Sequence, residues 1–184
     1  NDERFIARAE ILWEKGTNRA AFFRNEVDKY TWVDIGSSFL CSDMQAAFLY
    51  AQLENLQQIQ AKRIDIWNQY HKQLQPLCYN SGIQIPAIPE FASNNAHMFY
   101  LVCPSGEFRD NLITGLNKRE IRSVFHYQSM HKSPYYRNKH DGRELPMADK
   151  FSDGLVRLPF YYSLDQNEVN HVCESVESCI NDKT

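Results

Sequence analysis

Residues 35–63, IGSSFLCSDMQAAFLYAQLENLQQIQAKR, decide how this chain is organised. After a Gly-Ser-Ser sequence at 36–38, apolar residues recur every three or four positions, which is the spacing of a helix face. Ser42 and Gln45 fit a capping box, in which a hydroxyl is followed three residues later by Glu or Gln. Because neither Gly nor Pro intervenes before Pro76, the pattern predicts one long helix over 41–77, of the kind that links two domains or two subunits.

The amino-acid composition is typical of a globular protein. Its 184 residues are 43% hydrophobic and 23% charged, which is enough for one ordinary core with an appended piece. The net charge of −3 and the lack of a Lys/Arg run argue against a nucleic-acid-binding face. No apolar stretch approaches the ~20 residues that span a bilayer, so we expect no membrane segment.

The five cysteines are widely scattered and form no Cys-x-x-Cys pair. This distribution is typical of reduced thiols in a cytoplasmic protein, and we expect no metal site. The chain opens at the edge of a helix, with Asn1 or Asp2 as the N-cap, and does not begin with Met. We therefore expect that a segment upstream is missing. Residues 15–34 follow this helix and show no clear period, which predicts a long irregular segment.

The second half of the chain alternates strand and helix patterns. Apolar runs predict strands at 97–103, 121–128 and 155–158. A stripe of Phe108, Leu112, Ile113 and Leu116 predicts a helix between the first two strands. A polar, basic loop over 129–143, a short helix and a final helix with a capping box at 163–166 complete the pattern. Such alternation favours a small α/β or α+β domain.

Two groups of residues suggest anion binding. Gly36, Ser37 and Ser38 offer backbone N–H groups and hydroxyls near a helix start, where the helix dipole favours an anion. The alternative is that the serines only turn and cap the chain. Arg19, with Lys15 and Arg24 in the same irregular segment, could bind phosphates as multi-donor cations. The alternative is that these charges are simply solvated.

A further group of candidates follows the second predicted strand. His126 and His131 are five residues apart, with Tyr127 between them. Histidines at a strand end can transfer protons or hold a polar substrate. Their spacing does not place two metal ligands on one helix face, and structural histidines remain the alternative.

Four stretches together resemble the sugar-nucleotide aminotransferases of the DegT/DnrJ/StrS type. They are EKGTNRAAFFRNEVDKYTWVDIGSSFLCSDMQAAFLYAQLE at 14–54, NAHMFYLV at 95–102, VFHYQSMHKSP at 124–134 and LVRLPFYY at 155–162. The resemblance covers essentially the whole chain. It implies an α/β fold, the C-terminal portion of a fold-type I pyridoxal-phosphate-dependent transferase. Residues 1–40 would end the large domain and form an interface segment, 41–77 would be the spine helix, and 78–184 a small domain with a short, largely antiparallel sheet.

The resemblance also implies an activity. Such enzymes use pyridoxal 5′-phosphate to move an amino group from glutamate to the C4 keto group of a dTDP-4-keto-6-deoxyglucose. The family's cofactor-binding lysine lies in a His-x-x-Lys-Asn pattern, which this sequence does not contain. We therefore expect the chain alone to be inactive, with no catalytic residue of its own. Two alternatives remain: a lysine-less binding or regulatory relative, and, from sequence pattern alone, a generic α/β interaction domain.

Residue roles follow from the same resemblance. Aligning Asp43, Gln45, Ala46 and Ala47 with the family's Asp-x-Gln-Ala-Ala pattern places Ser38 where the family usually has an asparagine. That asparagine reaches the cofactor phosphate in the neighbouring subunit, which implies a homodimer or higher assembly. The resemblance further implies substrate contacts by two groups of side chains: Arg19, Tyr30 and Trp32 in the first, and His126, Tyr127 and His131 in the second.

Overall fold

The computed structural model describes residues 2–182. They form two compact units, Asn1–Asn55 and Leu56–Thr184. Asn1, one of the two N-cap candidates, lies outside the described residues. Asp2 does cap the first turn, a 3₁₀ helix over Glu3–Phe5, because its carboxylate accepts a hydrogen bond from the Arg4 backbone N–H at 3.1 Å. Within residues 2–182, no helix is both long and apolar enough to cross a membrane.

After this 3₁₀ turn, the described part of the first unit contains three α-helices: α1 (Ile6–Trp13), α2 (Arg19–Phe23) and α3 (Asp43–Glu54). The expectation of an irregular segment over 15–34 is therefore wrong at α2, a helix of five residues that is too short to show a period. The capping box at the start of α3 is confirmed. Gln45 N–H donates to Ser42 Oγ at 3.3 Å, and Ser42 N–H donates to Gln45 Oε1 at 3.0 Å.

The prediction of one continuous helix over 41–77 is wrong in two places. The helix is interrupted at Asn55, and its second part continues beyond residue 77. Helix α3 ends at Glu54, and α4 (Leu56–Ser81) begins after Asn55. Asn55 is the C-cap of α3, and its side-chain amide donates to the Ala51 carbonyl at 2.9 Å. An asparagine side chain can take the place of a backbone N–H as a hydrogen-bond donor in this way, and Asn is therefore common at helix ends.

Helix α4 passes through Pro76 and ends only at Ser81. Proline removes a helix N–H, but buried Leu74 and Cys78 hold the helix on both sides of it. The helix stops at Gly82, whose φ of +71° is the left-handed conformation that glycine adopts freely. The division into 1–40, 41–77 and 78–184 stays a prediction.

The second unit contains a three-stranded antiparallel sheet in the order β1-β3-β2. Its strands are β1 (Tyr100–Val102), β2 (Val124–Phe125) and β3 (Leu155–Arg157). Central β3 pairs Val156 with Leu101 on one side and with Phe125 on the other. The three strands expected from the apolar runs are confirmed, although each is shorter than its run.

Helices cover this sheet and complete the core. Between β1 and β2 lies α5 (Gly106–Asn117), which confirms the predicted stripe; α6 (Pro146–Gly154) leads directly into β3; and α7 (Gln166–Asn181) ends the described chain. Helix α4 buries a face that recurs every three or four residues, with Ile66, Trp67, Tyr70, Leu74 and Cys78. The Tyr70 hydroxyl donates to the Pro159 carbonyl at 2.9 Å, which satisfies the buried polar tip of this ring.

The capping box expected at 163–166 is displaced by two residues. Asp165 is the N-cap of α7 and accepts from Glu168 N–H at 2.9 Å, while Glu168 accepts from Asp165 N–H at 2.8 Å. A carboxylate accepts these hydrogen bonds more strongly than a hydroxyl does, and its negative charge complements the helix dipole. The charged pair therefore sets the start of the helix rather than Ser163 and Gln166.

Candidate functional site

The Gly-Ser-Ser segment is positioned by a close crossing of two backbones within the first unit. Gly16 follows α1, and its carbonyl accepts hydrogen bonds from the N–H groups of Val33 and Asp34 at 2.8 and 3.0 Å. A Cβ on Gly36 would overlap the backbone of Gly16, and a Cβ on Gly16 would overlap the Asp34 carbonyl. Glycine at both positions allows the two backbone segments to contact each other directly.

This crossing fixes the backbone of the serines that follow. Ser37 N–H donates to the Leu12 carbonyl at 3.1 Å, and Phe39 N–H donates to the Trp13 carbonyl at 3.2 Å. Ser38 lies between them, opposite Glu14, and is exposed. Within residues 2–182, neither the Ser38 hydroxyl nor its N–H has a hydrogen-bond partner. Ser38 therefore presents two donors to solvent, whereas the backbone of Ser37 faces α1.

Arg19 belongs to a compact aromatic and ionic cluster beside the crossing. Its guanidinium donates to Glu14 Oε1 at 2.6 Å and lies 5.1 Å from the Phe23 ring centre and 5.9 Å from that of Tyr30. Trp32 is 75% exposed, and its backbone pairs with that of Thr17. The structure thus brings Arg19 and Tyr30 together, with Glu14 as an ion-pair partner that the sequence did not reveal.

The other two cations of this segment differ in their surroundings. Arg24 forms ion pairs with Glu10 at 3.0 Å and with Glu26 at 2.8 Å. These carboxylates raise the pKa of Arg24 above its ordinary value and occupy its guanidinium. Lys15 is exposed, in a left-handed conformation with φ of 60°. Its N–H donates to the Ser37 carbonyl, so its role in the structure is to tie the crossing together.

His126 and Tyr127 follow β2 in the second unit. Their rings contact each other edge to face, with centres 5.0 Å apart. Tyr127 is 83% exposed, whereas His126 Nδ1 is buried and has no hydrogen-bond partner among the described residues. Both residues line a cavity of about 280 Å³ that reaches Ser152 and Phe151 of α6. An unpaired imidazole nitrogen beside a cavity can accept from, or donate to, a polar group placed there.

His131 lies in a different environment, although it is only five residues away. Its Nε2 is 3.2 Å from Asp149 Oδ1 of α6, and its ring centre is 5.2 Å from that of His140. Lys132 Nζ lies 2.9 Å from the other oxygen of Asp149. The Lys132 ammonium holds the pKa of Asp149 below its usual range, with a smaller contribution from the neighbouring imidazole. Asp149 therefore anchors the basic loop to α6.

Sequence reasoning missed Asp149 and His140, which lie 18 and 9 residues from His131 and carry no local motif. Only the fold of the loop onto α6 brings them together. Among residues 2–182, no group of three or more His, Cys, Asp or Glu side chains is arranged to hold a metal ion. Cysteines at 78, 103, 173 and 179 are buried and Cys41 is exposed, and none of these five described residues is in a disulfide bond.

Solved structures that resemble this fold include aminotransferases. The aminotransferase TlmJ from Streptoalloteichus hindustanus matches with a TM-score of 0.83 and 19% identity, over 100% of this chain and 47% of that one. DesV from S. venezuelae, solved in complex with a ketimine intermediate, matches with a TM-score of 0.82 and 25% identity, over 97% of this chain and 45% of that one. The expected fold class, the C-terminal portion of the pyridoxal-phosphate transferase fold, is confirmed.

Sequence comparison gives the family. The profile of the DegT/DnrJ/EryC1/StrS aminotransferase family matches residues 1–177, and the chain belongs to this family. A curated relative, the dTDP-4-dehydro-2,3,6-trideoxy-D-glucose 4-aminotransferase of Saccharopolyspora spinosa, is 27% identical over 97% of this chain and 46% of its own length. The chain thus spans about half the length of the relatives that it matches.

Proposed function

We propose that this chain is the C-terminal part of a pyridoxal-phosphate-dependent aminotransferase that moves an amino group from glutamate to the C4 keto group of dTDP-4-keto-6-deoxyglucose. The observation that carries the proposal is the family match over residues 1–177. The name of the S. spinosa relative, a dTDP-sugar 4-aminotransferase, supports a sugar nucleotide as the acceptor.

The narrower proposal is a dTDP-4-amino-4,6-dideoxygalactose transaminase. Its product would be an amino-sugar nucleotide used in cell-surface polysaccharide biosynthesis, specifically in lipopolysaccharide or enterobacterial common antigen. Residues 14–54 support this assignment because they resemble that enzyme most specifically. We propose that the whole enzyme works in the cytoplasm as a homodimer or larger assembly.

Ser38 fits the phosphate end of the cofactor. Its hydroxyl and N–H have no hydrogen-bond partner among residues 2–182, and the backbone on both sides of it is hydrogen-bonded to α1. Two donors on a fixed backbone are suited to a phosphate oxygen. Pyridoxal phosphate, when bound, supplies the electron sink for the amino transfer. In this proposal Ser38 only binds the phosphate, across the dimer interface, while the cofactor-binding lysine of the family would lie upstream of residue 1.

Arg19, Tyr30 and Trp32 form the proposed contact to the nucleotide. Glu14 neutralises part of the Arg19 charge, but the guanidinium has five N–H donors and Glu14 accepts from one nitrogen. The remaining donors can bind a pyrophosphate oxygen, while the exposed Trp32 ring offers a stacking surface for a base. His126, Tyr127 and His131 are the proposed sugar contacts, with His126 Nδ1 as the unpaired polar atom.

An amination assay tests this proposal. The 184-residue chain should show no glutamate-dependent amination of dTDP-4-keto-6-deoxyglucose and no absorbance band of bound cofactor, because it has no His-x-x-Lys-Asn lysine. A longer chain, encoded by the same reading frame and including that motif, should show both. If the frame upstream encodes no such motif, or the longer chain binds no pyridoxal phosphate, the lysine-less binding relative becomes the better description. Amination by the 184-residue chain alone would contradict the assignment of the lysine.

A further inference from the structure

A cavity of about 350 Å³ lies between the basic loop 129–143 and the start of α6. Its lining includes four basic or histidine side chains, those of His131, Lys139, His140 and Arg143. The same lining includes the less polar Tyr136 and Leu145. All of these residues belong to the second unit, and only His131 is among the proposed sugar contacts.

The charge of this loop is opposite to that of the whole chain. Residues 129–143 contain four basic residues and one acidic residue, whereas the net charge of the chain is −3. Lys132 is neutralised by Asp149 at 2.9 Å, outside the cavity lining. Arg143 is 3.6 Å from Asp141, and both side chains are largely exposed, so this pair is weak.

Lys139 is the cation of the cavity lining whose charge is least compensated. Within residues 2–182, no carboxylate lies within ion-pair distance of its ammonium, which instead lies 3.6 Å from the ring centre of Tyr135 and 6.0 Å from that of Tyr136. A ring face attracts a cation and holds it in place without neutralising it. The ammonium therefore remains able to bind an anion.

The imidazoles of His131 and His140 also line the cavity. His140 Nε2 lies 2.9 Å from the Arg143 carbonyl oxygen, a contact that orients this ring. His131 Nε2 lies 3.2 Å from Asp149 Oδ1, which has no hydrogen-bond partner among the described residues. A histidine ring nitrogen that carries a proton can donate a hydrogen bond to an anion.

We propose that this cavity binds a phosphate-bearing small molecule, with the phosphate against Lys139, Arg143 and the two imidazoles. Arg and Lys together suit a multiply charged tetrahedral anion, because Arg gives two parallel hydrogen bonds and Lys a point charge. The volume is at the low end of the range for ligand pockets, so the organic part is small and lies against Tyr136 and Leu145. This binding requires neither the cofactor nor the amino transfer.

Calorimetric titration of the 184-residue chain at constant ionic strength tests this proposal. The probes are inorganic phosphate, pyrophosphate, dTDP and uncharged thymidine. We expect the phosphate-bearing probes to bind and thymidine not to bind. Equal affinities for pyrophosphate and dTDP would indicate that the anion alone is recognised, and a higher affinity for dTDP would indicate a nucleotide ligand. If no phosphate-bearing probe binds, the proposal is wrong.

Two variants locate the binding. Lys139→Gln should weaken the binding of pyrophosphate or dTDP about tenfold or more, since it removes a charged hydrogen bond. Lys118→Gln, a matched change at an exposed lysine outside the cavity, should leave the affinity unchanged. Equal affinities of wild type and Lys139→Gln, or an equal loss in Lys118→Gln, would overturn the proposal. Unchanged melting of Lys139→Gln would show that the variant is folded.

Discussion

Gly36 needs to be glycine although its backbone conformation is ordinary. Only Gly16 of the pair has a positive φ, of +78°, so the requirement at Gly36 is purely one of space. A methyl group there would push the two crossing backbones apart and break the hydrogen bonds that Gly16 accepts. The position of Ser38 depends on this contact, because the same crossing fixes the residues on both sides of it.

Gly36→Ala should therefore open the crossing. We expect the Val33 and Asp34 amides, which donate to the Gly16 carbonyl, to exchange their hydrogens at least tenfold faster than in the wild type, because overpacking of this kind costs about 1–3 kcal/mol. Gly106→Ala is the matched control, since a Cβ there meets its nearest neighbour at an ordinary 3.5 Å. If the hydrogen exchange of these amides in Gly36→Ala equals that of the wild type, the two backbones accommodate the methyl group without losing these hydrogen bonds.

Three serine substitutions separate phosphate binding from helix capping in a protein that carries both this chain and the cofactor-binding lysine. Ser38→Ala should weaken pyridoxal phosphate binding about ten- to a hundredfold, because it removes a hydrogen bond to a charged group. Ser37→Ala should have a smaller effect, because adjacent side chains in an extended segment point in opposite directions. Cofactor titration measures both, and equal affinity in the wild type and Ser38→Ala would remove the phosphate role.

Ser42→Ala is the capping control of this series. Its side chain accepts from Gln45 N–H at the start of α3, so the substitution should cost about 1 kcal/mol of stability. Thermal melting measures this cost. Cofactor affinity should remain nearly unchanged, and a large fall in affinity would mean that the cap and the phosphate site are coupled.

The helices and strands that depend on a local sequence pattern are correctly predicted from the sequence. The capping box at Ser42, the three strands and the apolar stripe of α5 each have a spacing that the chain carries within a few residues. The predicted end of α4 near Pro76 is wrong, because burial of the helix face on both sides of the proline carries the helix on to Ser81, just before Gly82.

The candidate site was less predictable, because its contacts join residues that are distant in the sequence. Ser38, Arg19 and His126 were found as residue types near a turn or a strand end. Their partners, Glu14 for Arg19 and Asp149 for His131, depend on how the chain folds back on itself. Sequence spacing does not encode such contacts, so the ionic environment of the site could be obtained only from the structure.

Helices α4 and α7 are joined by packing that includes two buried thiols. Burial raises the pKa of Cys78 on α4 to about 11 and that of Cys173 on α7 to about 12. An unfolded thiol ionises near pH 8.5. Because the folded state holds these protons more tightly, its stability is fully present below pH 8.5 and falls as the pH rises toward 11.

The melting temperature should accordingly fall between pH 8.5 and pH 10. Replacing both buried thiols, as in Cys78→Ala with Cys173→Ala, should lower the melting temperature at pH 7 through lost packing but should also reduce its pH dependence. Cys41→Ala, at the exposed thiol, should leave the pH dependence unchanged. An identical pH dependence in the double variant would contradict the assignment to these thiols.

At the scale of the whole molecule, the two units differ in whether they contain a core. The large buried apolar side chains all lie in the second unit, from Ile66 onward, as far as residues 2–182 are concerned. In the first unit, Phe22 contacts Phe23 and Tyr30, but Phe23, Tyr30 and Trp32 are each more than half exposed. Helix α3 is apolar on all sides, which is typical of a helix that another chain or domain covers.

We therefore expect the 184-residue chain to self-associate. Five apolar side chains of α3 are more than half exposed: Met44, Phe48, Leu49, Tyr50 and Leu53. Apolar patches of this kind mark interaction surfaces. Phe48→Gln with Leu49→Gln should shift sedimentation toward the monomer, whereas Tyr79→Gln, at an equally exposed ring on α4, should not. A wild-type chain that sediments as a monomer at micromolar concentrations would count against this expectation.

The position of the core along the chain also has a consequence for folding on the ribosome. Residues 2–55 leave the ribosome before the core residues, which lie between Ile66 and Ile180. Gln73 of α4 donates to Asn170 of α7, a partner made 97 residues later. Because this core needs contacts between segments so far apart in sequence, it cannot be completed until α7 has emerged. Until then, the apolar face of α4 remains open to chaperones.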